Sequence, residues 1–79
     1  MSEMSKLRWR CRRGMKELDV LMNRYLDQRY EQASEEERAV FVDLIDVQDP
    51  DLYTWFIGRA EPDRDDFKKI VALILDLPH

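Results

Sequence analysis

The sequence is 79 residues long, 44% of them hydrophobic, and it carries a net charge of -4, one cysteine and one histidine. This length predicts a single domain over residues 1–79 that buries about 60% of its unfolded surface, and the apolar content excludes a disordered chain. A lone cysteine excludes an internal disulfide, and with only one histidine beside it there are too few soft ligands for a structural zinc site, so no metal is expected.

The N-terminal residues contain no apolar segment of the kind found in a signal peptide. The longest aliphatic run, residues 70–75, is far shorter than the roughly 20 residues that span a bilayer. We therefore expect a cytoplasmic protein without membrane insertion.

Two helices are predicted at the start of the chain. The first covers residues 6–12 and ends before Gly14, since glycine readily takes the left-handed conformation that follows a helix. The second runs from Met15 to about Gln28, because apolar residues recur there at spacings of three and four. Its predicted inner face consists of Leu18, Leu21, Met22, Tyr25 and Leu26.

A third helix is predicted after Ser34, which begins a capping box that ends at Glu37. In such a box the serine oxygen accepts from the amide of the glutamate, while the glutamate side chain accepts from the serine amide. The predicted inner face of this helix consists of Val40, Phe41, Leu44 and Ile45.

Two further helices complete the chain. Asp49-Pro50 supplies a cap and a first-turn proline for a fourth helix over residues 50–57, which stops at Gly58, and Pro62-Asp63 opens a fifth. No segment alternates with the period of a strand, so the sequence predicts an all-α bundle of about five short helices. The predicted inner residues of these two helices are Leu52, Trp55, Phe56, Phe67, Ile70, Val71 and Ile74.

The residue types argue against catalysis by this chain. The sole histidine, His79, is the last residue, and chain ends are usually mobile, so it is a poor general base. Gly14 and Gly58 are isolated, whereas a phosphate-binding loop needs clustered glycines. Paired acids such as Asp65 and Asp66 stand at a helix start, where they offset the helix dipole. We expect no catalytic residue, no enzyme activity and no tightly bound cofactor.

Charge is unevenly distributed along the chain, with a net charge of +4 in residues 1–29 and -8 in the remainder. Such a dipole can orient a partner during encounter. The basic N-terminal segment with Trp9 fits nucleic acid, because Lys and Arg contact phosphates and bases stack on aromatic rings. The acidic remainder would repel a long polyanion, which argues against a nucleic-acid partner.

Trp9 has two interpretations. On a helical projection of the first helix, Leu7 and Cys11 share one face, and Trp9 lies opposite them between Arg12 and Arg13. An outward tryptophan flanked by arginines is typical of an interface anchor. In the alternative interpretation, the short helix is wedged between others and Trp9 is buried. The sequence favours neither.

The segment Arg-Gly-Met-Lys-Glu, residues 13–17, resembles the Arg-Gly-x-x-Glu motif of the FAD assembly factors of succinate dehydrogenase, the SdhE or succinate dehydrogenase assembly factor 2 family. The resemblance covers nearly the whole chain. It also includes Trp9, Cys11, Arg12, Leu18 and Asp19 beside the motif, and Asp49-Pro50-Asp51-Leu52 with Trp55 downstream.

The resemblance implies a small five-helix protein that binds the flavoprotein subunit of succinate dehydrogenase, and of the related fumarate reductase. It implies that the protein promotes covalent attachment of FAD to a histidine of that subunit. Arg13, Gly14 and Glu17 are then the residues that contact the partner. Trp9 and Arg12 are added to this site from the helical projection.

A second functional class stays open at this point. Some related proteins have been described as antitoxin-like partners in toxin-antitoxin systems. This alternative predicts a protein that sequesters a toxin, or a regulatory module that binds nucleic acid.

Overall fold

The computed structural model describes residues 3–78, which form five α-helices and one 3-10 turn and contain no β-strand. The prediction of an all-α fold is confirmed, whereas His79 lies outside the described residues. The helices are α1 (Glu3–Arg10), α2 (Lys16–Gln28), α3 (Glu35–Ile45), α4 (Asp49–Phe56) and α5 (Asp65–Leu75), and the 3-10 turn is Tyr30–Gln32. None of the helices in this part of the chain is long and apolar enough to cross a membrane.

The helix ends correct the prediction for α1. This helix begins at Glu3 and ends at Arg10, rather than covering residues 6–12. Beyond its end the amide of Cys11 still donates to the carbonyl of Leu7 (3.0 Å) and that of Arg12 to the carbonyl of Trp9 (3.2 Å). Gly14 lies farther along the loop to α2 and is not the residue that ends the helix.

Gly58, in contrast, closes α4 as predicted. It has a φ of +80°, and its amide donates to the carbonyl of Trp55 (3.2 Å), while the amide of Arg59 donates to that of Thr54 (3.1 Å). This pair of bonds is a Schellman motif, which satisfies carbonyls that the helix end leaves free.

Only half of the predicted capping box forms at α3. The hydroxyl oxygen of Ser34 accepts from the amide of Glu37 at 3.1 Å, as predicted. The carboxylate of Glu37 does not turn back to the serine. It accepts from two nitrogen atoms of Arg29, both at 3.0 Å, and from the hydroxyl of Tyr25 at 2.8 Å. A charged partner, the residue that follows α2, has taken the place of the local one.

The starts of α4 and α5 also differ from the prediction. Gln48 rather than Asp49 is the cap residue of α4, and Asp49 is the first helical residue, with its carboxylate bound to Arg13. α5 begins at Asp65, with Arg64 as its cap residue. The Arg64 guanidinium donates to Asp66 at 2.7 and 3.0 Å, so this helix start is stabilised by an ion pair.

The buried side chains form one cluster to which every helix contributes. At its centre the rings of Tyr25 and Phe41 stack with centroids 4.2 Å apart, and Tyr30 meets Tyr25 edge-on at 6.3 Å. The predicted inner residues are confirmed as buried, except that Leu21, Val40 and Trp55 are only partly buried. Because this cluster lies on one side of α1 and α2, the opposite sides of both helices are available for other contacts.

Candidate partner-binding face

α1 separates a buried side from an exposed one. Leu7 and Cys11 lie in the core, whereas the Trp9 side chain between them in sequence is 68% exposed. The two interpretations of Trp9 are thereby resolved in favour of exposure. An indole left in water over two thirds of its surface contributes little to folding, so Trp9 is available for contacts outside the chain.

Arg12 lies beside Trp9. Its guanidinium carbon is 5.8 Å from the centroid of the indole ring, within the range of a cation–π interaction. The two side chains line a shallow depression of about 390 Å³ together with Ser5, Arg8 and Asn23. The floor of this depression joins α1 to α2, because Arg8 donates to Asn23 at 3.1 Å and to Asp27 at 2.5 Å.

Gly14 is exposed in the loop between α1 and α2, with a φ of +86°. Residues other than glycine rarely adopt this conformation. A Cβ atom built at Gly14 would have no other atom within 4 Å, so nothing inside the protein crowds this position. The backbone at Gly14 therefore faces open space with no side chain above it.

Glu17 is exposed in the first turn of α2. It lines a second depression of about 390 Å³ with Lys16, Val20, Leu21 and Arg24. Val20 and Asn23 are three residues apart on α2 and are neighbours on its surface, so the two depressions adjoin. We call the exposed residues Trp9, Arg12, Gly14, Glu17 and Val20 the motif face.

The Arg13 side chain points into the protein rather than into solvent. Its side chain is only 11% exposed, and its guanidinium donates to the carboxylate of Asp49 and to the carbonyls of Ile45 and Val47. Its backbone amide donates to the carboxylate of Asp19 at 2.7 Å. In the free protein this guanidinium is therefore occupied by internal partners. Its predicted contact with a partner protein stays a prediction.

Cys11 is the most nucleophilic residue type near the motif face, but it is buried on the inner side. Burial raises the pKa of its thiol to about 11, although neighbouring arginines act in the opposite direction. A thiol with this pKa is almost entirely protonated at neutral pH and is a weak nucleophile. Within residues 3–78 there is also no group of three His, Cys, Asp or Glu side chains placed to hold a metal ion.

Another depression, of about 240 Å³, lies between α3 and α5, away from the motif face. Two of the acids that line it already have cationic partners, Glu37 with Arg29 and Asp66 with Arg64. These contacts explain these two acids as parts of the fold, and the depression contains none of the predicted site residues.

Comparison with known proteins covers almost the whole chain. The family model described as flavinator of succinate dehydrogenase, Sdh5, matches residues 5–78. The chain belongs to this family. Three similar relatives are each named FAD assembly factor SdhE. The protein of Coxiella burnetii is 42% identical over 72 residues, which cover 91% of this chain and 88% of the relative.

The protein of Idiomarina loihiensis is 43% identical over 75 residues (95% of this chain, 83% of the relative). That of Xylella fastidiosa is 46% identical over 77 residues (98% and 79%). The family predicted from the Arg-Gly-x-x-Glu segment is therefore confirmed.

In this member of the Sdh5 family, sequence reasoning missed Val20 as part of the surface beside the motif. Val20 is 46% exposed, although it stands in the middle of a helix with a well-formed inner face. The signal was present, because Val20 does not belong to the three-and-four spacing that predicted the inner residues of α2. An apolar residue outside that spacing marks exposed hydrophobic surface.

Proposed function

We propose that this chain is an assembly factor that binds the flavoprotein subunit of succinate dehydrogenase and promotes covalent attachment of FAD to it. Membership of the Sdh5 family and the shared name of the relatives support this proposal. The observation that links this function to particular residues is the motif face, in which Gly14, Glu17 and Trp9 are all exposed.

Four residues of the motif face have distinct tasks in this proposal. Trp9 provides a large apolar surface that loses water on binding, with Arg12 beside it as a hydrogen-bond donor. Glu17 offers a carboxylate for charge-assisted hydrogen bonds. Gly14, with open space above its backbone, allows the partner to approach the main chain closely. Arg13 supports the loop that carries Gly14, through its contacts with the end of α3 and the start of α4.

The factor acts by binding and not by bond chemistry. A protein shifts the conformation of its partner only if it binds one conformation more tightly than another. The motif face would bind the conformation in which the flavoprotein attaches FAD, and would leave the transfer of bonds to the flavoprotein itself. The buried, protonated thiol of Cys11 fits this division of tasks. The related flavoprotein of fumarate reductase is a second client of the same kind.

Glu17→Ala tests this function, with Glu35→Ala as its matched control. Both glutamates are exposed and stand in the first turn of a helix, so either change costs about 0.3 to 1 kcal/mol of stability through the helix dipole. Only Glu17→Ala should weaken flavoprotein binding, by about 2 kcal/mol or thirtyfold, because its partner group is left unpaired. Binding is measured by calorimetry, and covalent flavin by fluorescence of the denatured subunit after co-expression.

Equal binding and equal flavin attachment by the two variants would remove Glu17 from the contact. The toxin-antitoxin alternative receives no support from the names of the relatives. Purification of the tagged chain from its native cell separates the two functions directly. The proposed function requires a flavoprotein subunit to co-purify, and recovery of a small toxin in its place would contradict it.

A further inference from the structure

Asp49 is 36 residues from Arg13 in sequence, but its side chain contacts Arg13 in the structure. Its carboxylate accepts from the Nε atom of Arg13, and its side chain is 28% exposed. The two other donor nitrogens of Arg13 bind the carbonyls of Ile45 and Val47. The three partners lie at the end of α3, in the connection and at the start of α4, so one guanidinium links the motif segment to the α3–α4 junction.

The end of α3 favours the positive charge of Arg13, and the start of α4 favours the negative charge of Asp49. The last carbonyls of a helix lack partners and carry partial negative charge, and the last turn of α3 contains no basic side chain of its own. Arg13 supplies that cation from another part of the chain. Asp49 is the first residue of α4, where a carboxylate is favourable, and it neutralises Arg13. The planar guanidinium can meet all three acceptors at once, which a lysine ammonium could not match.

The main chain of Arg13 is also held by a hydrogen bond to α2. The backbone amide of Arg13 donates to the carboxylate of Asp19 at 2.7 Å, and the amide of Asp19 donates to the carbonyl of Met15 at 3.0 Å. The loop that carries Gly14 is therefore held between α2 and the α3–α4 connection. Without the Asp49 contact, only the α2 side and two neutral carbonyls would hold it.

We propose that Asp49 is a positioning residue for the motif face: through Arg13 it fixes the loop that carries Gly14 and that leads into the first turn of α2, where Glu17 lies. This inference rests on the proposed function. It assigns a role to Asp49 that differs from the cap predicted from the sequence. One side chain from the Asp-Pro-Asp-Leu segment and one from the Arg-Gly-x-x-Glu segment make this contact.

The first test uses the free protein and needs no partner. Asp49→Ala should speed hydrogen exchange of the Arg13 amide about tenfold or more, because the loop opens more often. Exchange at Ile74, buried in α5, should change much less. Asp51→Ala is the matched control, since it removes an exposed acid from the same first turn of α4. Equal exchange at Arg13 in the two variants would overturn the proposal.

The second test measures binding to the flavoprotein subunit at a temperature where every variant is folded. Asp49→Ala should weaken binding about tenfold, and Asp51→Ala less than twofold. In the Glu17→Ala background, Asp49→Ala should weaken binding by much less than tenfold, because part of its role is exerted through the position of Glu17. A full additional loss in that background would contradict the proposal, since it would mean that Asp49 acts independently of the motif.

Asp49→Asn and Asp49→Glu provide variants with milder changes, should Asp49→Ala fold poorly. The proposal expects Asp49→Glu to retain more binding than Asp49→Asn, because it keeps the carboxylate that neutralises Arg13. The reverse order would overturn it. If the unmodified chain fails to bind the flavoprotein, the proposed function fails, whereas the exchange experiment still decides whether Asp49 holds the loop.

Discussion

The two sides of α2 show how stability and recognition are separated in a chain of this size. On the inner side, Tyr25 is fully buried and its ring stacks on Phe41, while its hydroxyl binds Glu37. On the outer side, Val20 is 46% exposed and Glu17 faces solvent. Inner residues are constrained by packing within the chain. The outer residues are free of that constraint, so their side chains can be suited to binding a partner.

The comparison extends to α1, where Leu7 and Cys11 are buried and Trp9 is exposed. Two short helices thus supply both part of the core and most of the motif face. If this division is real, substitutions on the inner side should act on folding, and those on the outer side on binding.

The largest effect is expected for Phe41→Ala. Phe41 is fully buried at the centre of the aromatic cluster, so its truncation removes apolar burial and leaves a cavity. The expected cost is about 3 to 5 kcal/mol, a large fraction of the stability of a domain of this length. Urea denaturation measures it. A loss below 1 kcal/mol would show that the core is not centred on this ring.

Trp9→Ala should act on binding instead. A largely exposed side chain costs about 0.5 kcal/mol or less to remove from the fold, whereas a tryptophan anchor is worth about 2 kcal/mol of binding. Ile57→Ala is the control, because Ile57 is also an exposed hydrophobic residue and follows α4, outside the motif face. Similar affinities of the two variants for the flavoprotein subunit would show that the outer side of α1 has no special role in binding.

The smallest effect is expected from Glu37→Gln and appears in the pH dependence of stability. Hydrogen bonds from Arg29 lower the pKa of the Glu37 carboxyl below its ordinary value of 4.5, with a further contribution from Tyr25. A carboxyl with a lowered pKa in the folded state stabilises the protein above pH 4.5, and this stabilisation disappears as the pH falls through the folded-state pKa.

Glu37→Gln should therefore cost about 1 kcal/mol at neutral pH and less in acid. Thermal melts between pH 7 and pH 3 measure the difference. A loss of stability that stays the same across this range would mean that the ionised carboxylate contributes nothing.

The helices and their inner faces could be predicted because they depend on neighbours three or four residues away. The serine cap of α3 is equally local, since Ser34 and Glu37 are three residues apart. The helical projection placed Trp9 opposite Leu7 and Cys11 for the same reason. Whether that opposite side is covered depends on the rest of the chain, and only the structure answers this.

Two of the predictions that were wrong concern charged side chains that bind partners outside their own helix start. The carboxylate of Glu37 binds Arg29 rather than the amide of Ser34, and that of Asp49 binds Arg13 rather than capping α4. A capping motif in the sequence identifies a local acceptor, but it cannot show that an arginine elsewhere in the fold competes for the same oxygen. A charged donor in a partly buried site wins this competition because both partners are then ionised, whereas a carboxylate bound to a backbone amide has only one charged partner.

The contacts of Arg13 with residues 45–49 also set an order of events during synthesis. The Arg-Gly-x-x-Glu segment leaves the ribosome before its anchoring partners, which follow more than 30 residues later. A nascent chain that has made only α1 and α2 carries the motif without the contacts that fix its loop. If this contact positions the motif as proposed, a partner would meet the finished surface only after α3 and the start of α4 have folded.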